Sequence, residues 1–320
     1  MKHLLLLLSV STAFVGGCRN TPASKQKEVI IFHAGSLSVP FKELGDLYEK
    51  RNPGTRILRE PAGSLVCARK ITELKMPCDI IASADYTVIN QLLIPDYTTW
   101  SVRFATNAIV IAFQEKSKYS SEIDSLNWPD ILLRRDVSYA RSDPDSDPCG
   151  YRSIMTFQLA EKYYGRPGLA ARLEEKDRDF IRPKEVDLVA LVESNAVDYM
   201  FQYRSVAIQH NLKYIELPDD INLGNPEKES VYQSVSVDVT GNTPESTVTM
   251  KGDYINYSLS VLTQAQNKKG AEDFVSFLLS EEGRNVFLKD GQKPIYPPIS
   301  DQPEMVPASI RKLLGTAKPL

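Results

Sequence analysis

The chain has 320 residues, 42% hydrophobic and 25% charged, a composition that supports two globular domains with separate cores and excludes a disordered chain or a solenoid of repeats. A formal net charge of −3 argues against a nucleic-acid partner, which would want a basic face, so any anion bound here must be held by local dipoles.

Residues 1–18 open with Lys2, continue as an apolar run from Leu4 to Leu8 and through Val10, and end in Gly16, Gly17 and Cys18. This reads as an export signal, too short for a stable membrane span. Val15-Gly16-Gly17-Cys18 resembles a bacterial lipoprotein cleavage site, with Cys18 lipidated as the mature N-terminus; a plain secretory signal is the alternative. The expected division is a signal peptide over 1–17 and a polar tether over 18–27, with the protein exported and anchored at the cell envelope.

Residues 28–32 read as a buried strand leading into His33-Ala34-Gly35-Ser36-Leu37, and Phe41, Leu44, Leu47 and Tyr48 carry a helix that Asn52-Pro53-Gly54 stops. A second strand, 56–59, runs through Ala62-Gly63-Ser64-Leu65 into a helix with Val66, Ile71 and Leu74 on one face. Ala-Gly-Ser-Leu thus occurs twice between strand and helix. In each copy glycine permits close backbone approach, and serine can cap the helix or turn its hydroxyl to a ligand. Residues 79–82 are a third strand, followed by Ser83-Ala84-Asp85-Tyr86 and a short helix ending near Ile94-Pro95. The alternation predicts an α/β fold with a parallel, doubly wound sheet and ligands at the carboxyl ends of its strands, where Gly35, Ser36 and Ser64 fall.

Residues 104–113 read as one long strand, with a crossing into a second domain near 105–107. That domain is expected to hold 128–133, a strand over 138–140, and Asp143-Pro144-Asp145-Ser146-Asp147-Pro148, which combines a turn, an acidic cluster and a helix start. Asp147 can cap free N–H groups, Pro148 fits the first helical position, and Ile154, Phe157, Leu159, Ala160 and Tyr163 continue the helix to a stop at Gly165. Such a helix N-terminus offers an anion backbone donors and a positive dipole end. Residues 182–188 begin another helix with Glu185 in its first turn, and 199–205 read as a strand returning to the first domain. Strands over 214–217, 232–239 and 256–262, a helix over 270–279, a short helix after Glu281-Glu282-Gly283, and a proline-rich tail complete the chain. One discontinuous lobe over 28–106 and 206–320 and another over 107–205 are therefore expected, joined by a two-crossing hinge. Cys67 and Cys78 can form a bridge or stay as buried free thiols; with Cys149 the mature count beyond Cys18 is odd.

Phe32-His-Ala-Gly-Ser-Leu-Ser38, Glu60-Pro-Ala-Gly-Ser64, Ala84-Asp-Tyr86, Phe104-Ala-Thr-Asn107, Asp147-Pro-Cys-Gly-Tyr-Arg152, Tyr203-Arg-Ser-Val-Ala207 and the phrase from His210 to Pro218 occur in this order. As an ordered set they resemble the tungstate- and molybdate-binding proteins of ABC importers, of the kind typified in archaea. The resemblance implies a two-lobed periplasmic-binding-protein fold of type II, a ligand in the interlobe cleft, and delivery to a membrane permease driven by an ATPase. It implies a monomer without enzymatic activity or cofactor, attached to the membrane through its lipid alone. Carried over by motif, the ligand-binding residues are Gly35, Ser36, Ser64, Asp147 with Pro148 and Cys149, Glu185 and Tyr203; Pro148, lacking an N–H, contributes shape. In that family Asp147 and Glu185 would coordinate the metal centre of the oxyanion itself, taking it from four toward six ligands.

Other chemistries fit less well. Asp143, Asp145 and Asp147 have the spacing of half a calcium loop, but Pro148 and Ile154 stand where glycine and a bidentate glutamate are required. Ser36 and Ser64 lack a nucleophile elbow, and His33, without an evident carboxylate partner, reads as a packed residue rather than a hydrolase base. Sulfate, phosphate and ferric ion remain as alternative ligands of the same architecture.

Overall fold

The computed structural model describes residues 27–176 and 178–315. The expected signal peptide, Cys18 and the tether up to residue 26 lie outside them, and Lys27, read as tether, opens the first strand. In chain order the first run comprises β1 (Lys27–Ala34), α1 (Ser38–Arg51), β2 (Thr55–Ala62), α2 (Ser64–Thr72), β3 (Ile80–Ser83), α3 (Tyr86–Leu92) and β4 (Val102–Thr106). The second comprises β5 (Ile109–Phe113), α4 (Trp128–Leu132), β6 (Tyr139–Ser142), α5 (Pro148–Tyr163), α6 (Leu169–Glu175), β7 (Ile181–Arg182), α7 (Asp187–Glu193), β8 (Tyr199–Tyr203), α8 (Arg204–Gln209) and β9 (Lys213–Glu216). The return holds α9 (Glu229–Tyr232), β10 (Ser236–Thr240), β11 (Thr247–Lys251), β12 (Asn256–Val261), α10 (Lys268–Leu278), α11 (Glu281–Lys289), β13 (Lys293–Ile299) and α12 (Ala308–Arg311).

These strands form a six-stranded sheet in the order β13-β4-β12-β3-β1-β2, a five-stranded sheet in the order β7-β6-β8-β5-β9, and the separate hairpin β10-β11. The parallel, doubly wound expectation holds for β2-β1-β3 and for β7-β6-β8, while β12, β4, β13, β5 and β9 pair antiparallel. In β1 four consecutive residues, 31–34, are buried, as in a strand covered on both faces.

The run 104–113 is not one strand. Asn107 interrupts it: its side-chain carbonyl accepts from the N–H groups of Ala108 and Ser205, and its amide donates to Ser205 Oγ and to the Tyr257 hydroxyl. β4 and β5 thereby enter different sheets, and the first crossing is the short link through Asn107 and Ala108. The expected return at residue 206 comes later, because β9 pairs with β5 from Phe113↔Lys213 to Val110↔Glu216 and keeps α8 and β9 with the second sheet. The returning segment is pinned beside the first crossing, where Ile109 N–H donates to the Asn222 carbonyl, and Ile255 N–H donates to the Leu223 carbonyl.

Two further readings change, and one left open is decided. Residues 232–239 split into the end of α9 and β10, because the Tyr232 side chain is buried and its hydroxyl bonds the Asp219 carbonyl. The proline-rich tail contains β13, which fits only because it is an edge strand, where a missing N–H costs no ladder bond. Cys67, Cys78 and Cys149 are all free and buried, so the bridge between the first two is absent.

Each sheet has its own aromatic core. In the first, Phe41, Phe104 and Phe287 meet, with Tyr48 edge-on to Phe274. In the second, Phe201 on β8 stands edge-on to Trp128, Tyr139 and Phe157 at centroid separations of 5.7, 5.7 and 4.8 Å. Phe201→Ala should therefore destabilise the protein by about 3–5 kcal/mol in chemical denaturation. A loss below about 1 kcal/mol would mean that this cluster does not organise the second core.

Candidate functional site

The carboxyl ends of β1 and β2 deliver two serines to one place. A tight turn, Gly35–Leu37, follows β1 and carries Ser36, while Ser64 is the first residue of α2. Across from them, the second unit supplies Asp147 as the N-cap of α5, Glu185 before α7, and Tyr203 at the end of β8. Ser36, Ser64, Asp147, Glu185 and Tyr203 are all fully buried. Gly35, Ser36, Asp147 and Glu185 meet directly, Pro148 and Cys149 follow Asp147, and Ser64 and Tyr203 are linked through the Ala84 peptide and Arg152.

Asp147 uses its two oxygens differently. Oδ1 accepts from Cys149 N–H at 3.3 Å, the expected helix cap, and Oδ2 accepts from Glu185 N–H at 2.9 Å. Glu185 lies two residues ahead of α7 rather than in its first turn. Its N–H is spent on Asp147, and its carbonyl is held by Gln202 Nε2 at 2.7 Å. Its side chain reaches over the first unit, where Oε1 accepts a short hydrogen bond from Ser36 N–H. Gly35 makes room for this reach: a Cβ there would sit 2.9 Å from Glu185 Oε2. Glu185 Oε2 itself accepts from no N–H or O–H of the described residues unless a proton bridges it to Asp147.

Burial pushes the Asp147 carboxyl well above the ordinary carboxylate range, and the Glu185 carboxylate beside it pushes further. Burial also raises Glu185, opposed by the hydrogen bonds it accepts, including that from Ser36. The pair therefore titrates as one unit that holds on to a proton.

The hydroxyls are set as donors. Ala84 N–H donates to Ser64 Oγ at 3.0 Å, so Ser64 keeps its own proton to give; the Tyr257 hydroxyl donates to Ser36 Oγ at 2.9 Å, which leaves the Ser36 proton for Glu185. The Tyr203 hydroxyl accepts from Arg152 Nη1 at 3.0 Å and likewise retains a donor. Pro148 fills N1 of α5 and offers shape only. Cys149 is buried, its N–H engaged by Asp147 and its thiol pushed upward by burial and then by the two carboxylates. Asp143 and Asp145 are occupied elsewhere, accepting from Ser146 Oγ and from Thr240. His33 is buried against Phe41 with its pKa lowered to about 4, chiefly by burial, so it is a neutral packed ring at neutral pH.

Sequence reasoning missed the groups that join the two units. Arg152 is buried and spans the junction: Nη2 pairs with Asp85 Oδ2 at 2.9 Å, and Nη1 donates to the Ala84 carbonyl at 2.7 Å as well as to Tyr203. Tyr151 donates to the same Asp85 oxygen at 2.7 Å. Asp85 and Arg152 lie in separate short motifs, and nothing local marks one as the partner of the other. Tyr257 and Asn107 were missed for the same reason, since their relay to Ser36 runs between residues far apart in sequence.

Known proteins resemble this chain in sequence and in fold. The sequence matches the family described as bacterial extracellular solute-binding protein over residues 29–293. It is 44% identical to the molybdate/tungstate-binding protein WtpA of Pyrococcus abyssi, covering 94% of this chain and 95% of that one. It is 42% identical to the WtpA of Thermococcus kodakarensis, with coverages of 94% and 92%. The fold matches the periplasmic molybdate-binding protein of Azotobacter vinelandii with a TM-score of 0.61 at 15% identity, over 82% of this chain and 98% of that one. With two α/β units, a buried polar site between them and a family match across nearly the whole described chain, this protein belongs to the bacterial extracellular solute-binding proteins.

Proposed function

We propose that this protein captures tungstate or molybdate between two lobes and hands it to a permease driven by an ATPase. One lobe comprises residues 28–106 with the segment after Glu216, the other residues 107–216. The observation that carries this reading is the pair of buried carboxyl groups, Asp147 and Glu185, with Ser36 bonded to Glu185, Tyr203 within reach of the Asp147 charge, and Ser64 next to the Gly63 against which Asp147 packs. Carboxylates repel an ordinary oxyanion such as sulfate or phosphate. They suit one whose central metal accepts further oxygen ligands, with Ser36, Ser64 and Tyr203 taking the oxyanion's own oxygens. On coordination Glu185 would also release the Ser36 N–H to the ligand. The Pyrococcus and Thermococcus relatives, named for molybdate and tungstate, support the same choice. The protein binds without turnover or cofactor, as a monomer, exported and held at the membrane by a lipid on Cys18.

Calorimetric titration should give binding of tungstate and molybdate and none of sulfate or phosphate at the same concentrations. Glu185→Gln, which removes an anionic ligand while relieving repulsion, should weaken tungstate binding about tenfold to hundredfold. Unchanged or tighter binding by the folded variant would reject coordination by the carboxylates.

The pH dependence has a defined sign. Burial raises both carboxyl groups in the closed arrangement, so without ligand that arrangement is favoured as pH falls and penalised as pH rises. Metal coordination requires the ionised forms, so it expels the shared proton. Tungstate affinity should fall as the pH is lowered, and the slope should flatten in Glu185→Gln. Equal slopes in the two proteins would sever the pH effect from this pair. For the anchor, mass spectrometry of the mature protein should find a diacylglyceryl group on Cys18, and an unmodified start beyond it would refute lipidation.

A further inference from the structure

Ala-Gly-Ser-Leu occurs at two strand ends, and only the second glycine is untouched by the ligand chemistry above. Gly63 has φ −57° and ψ 143°, a conformation open to any L-residue, so its own backbone gives no reason for glycine. The reason comes from the other lobe. A Cβ on Gly63 would stand 2.1 Å from the Ser146 carbonyl oxygen, 2.8 Å from the Ser146 carbonyl carbon and 3.1 Å from Asp147 Cβ. The first two obstacles are backbone atoms, which cannot swing aside as the tip of a flexible side chain can.

That carbonyl is docked. It accepts from Val66 N–H, at 3.4 Å, in the first turn of α2, where backbone donors have no partner within the helix. Arg69, one turn further along α2, fixes the same loop by donating to the Asp145 carbonyl and, at 3.3 Å, to the Thr240 carbonyl. The turn carrying Asp147 therefore seats on the start of α2 through the space that a side chain at position 63 would fill. Ser64, a proposed ligand donor, is the residue next to Gly63, and Asp147, a proposed metal ligand, is the residue next to Ser146.

We propose that Gly63 sets the depth of lobe closure, and that through it the metal's access to Asp147 and Glu185 is decided. This rests on the binding reading above. With any side chain at 63, the second lobe stops short by more than an ångström, the separation needed to bring 2.1 Å to van der Waals contact. The carboxylates, both on the second lobe, then cannot reach a metal whose oxygens are held by Ser36 and Ser64 on the first. Gly35 is the contrasting case. What crowds a Cβ there is the Glu185 carboxylate and the Val186 side chain, so Gly35→Ala would disturb a ligand group directly, whereas Gly63→Ala meets chiefly the Ser146 backbone and reaches Asp147 only at its Cβ, 3.1 Å away, rather than at its carboxyl oxygens.

The test uses Gly63→Ala, with Gly45→Ala as a control because a Cβ at Gly45 meets nothing closer than 3.6 Å. Spin labels on Leu74→Cys, just past α2, and Tyr163→Cys, at the end of α5, both exposed and on opposite lobes, report the interlobe distance with and without tungstate. The expected result is a short-distance population in the parent and in Gly45→Ala that Gly63→Ala lacks under both conditions. Tungstate binding by Gly63→Ala should be weaker by about tenfold to hundredfold, and X-ray absorption of the bound tungsten should shift from six-coordinate toward four-coordinate. Ligand-free thermal stability should match the parent. Equal short-distance populations in parent and Gly63→Ala, or no short distance in the parent, would overturn the proposal, as would a ligand-free Gly63→Ala that unfolds early and so needs the glycine for folding. A parent that closes in the absence of ligand but does not bind tungstate would refute the binding reading, and the ligand-free distances would still decide the role of Gly63.

Discussion

Asp147 and Glu185 bury two acidic side chains against each other, and much of the surrounding structure exists to make that tolerable. Removing a charge from water costs several kcal/mol unless hydrogen bonds replace the hydration, and a second like charge adds to the cost. Here the replacements are backbone N–H groups: Cys149 and Glu185 for Asp147, and Ser36 for Glu185. Each such donor dictates a piece of fold. The Cys149 donor is the start of α5, the Glu185 donor requires residues 183–186 to remain outside α7, and the Ser36 donor comes from the turn after β1. What the hydrogen bonds do not cover appears as carboxyl groups that hold their proton more firmly than usual.

A second polar layer joins the lobes and gives the site its donor polarity. Arg152 and Asp85 form a buried ion pair, further satisfied by Tyr151, Tyr203 and the Ala84 carbonyl. Removing one partner from such a pair typically costs about 3–5 kcal/mol, because the other is left buried and unpaired. Its partners come from the two halves of the fold, so only contact between those halves assembles it. The Ala84 peptide links this pair to the site, its carbonyl taking Arg152 and its N–H fixing Ser64 Oγ. At the crossing, Asn107 donates to Tyr257, which donates to Ser36, so the residue that separates β4 from β5 also orients the Ser36 hydroxyl. The backbone crossing and the polarity of the site are thereby one hydrogen-bonded system.

Much of this was legible in the sequence wherever the signal was local. The Asp147-Pro148 helix start, the two Ala-Gly-Ser-Leu turns, the stop at Gly165 and the crossing near Asn107 each follow from the conformational preferences of a few adjacent residues. The resemblance carried by seven short phrases fixed the fold type, because their order constrains the chain more than any one of them does. The local rules failed where a long-range partner outweighed them. Residues 104–113 have the pattern of one strand, yet the bonds of Asn107 to Ser205 and Tyr257 split them between sheets. The proline-rich tail lacks strand propensity, but an edge beside β4 accepts it.

By itself the sequence placed serine, tyrosine, aspartate and glutamate, whose chemistries are fixed, at strand and helix ends. Only the tertiary structure decided how those groups are charged and aimed. A carboxyl group's proton affinity depends on its burial and on a neighbour 38 positions away in the chain, and a hydroxyl's direction depends on which donor reaches it first. The requirement for glycine at position 63 is of the same kind: its backbone torsions are ordinary, and only the Ser146 carbonyl arriving from the opposite lobe forbids a side chain there.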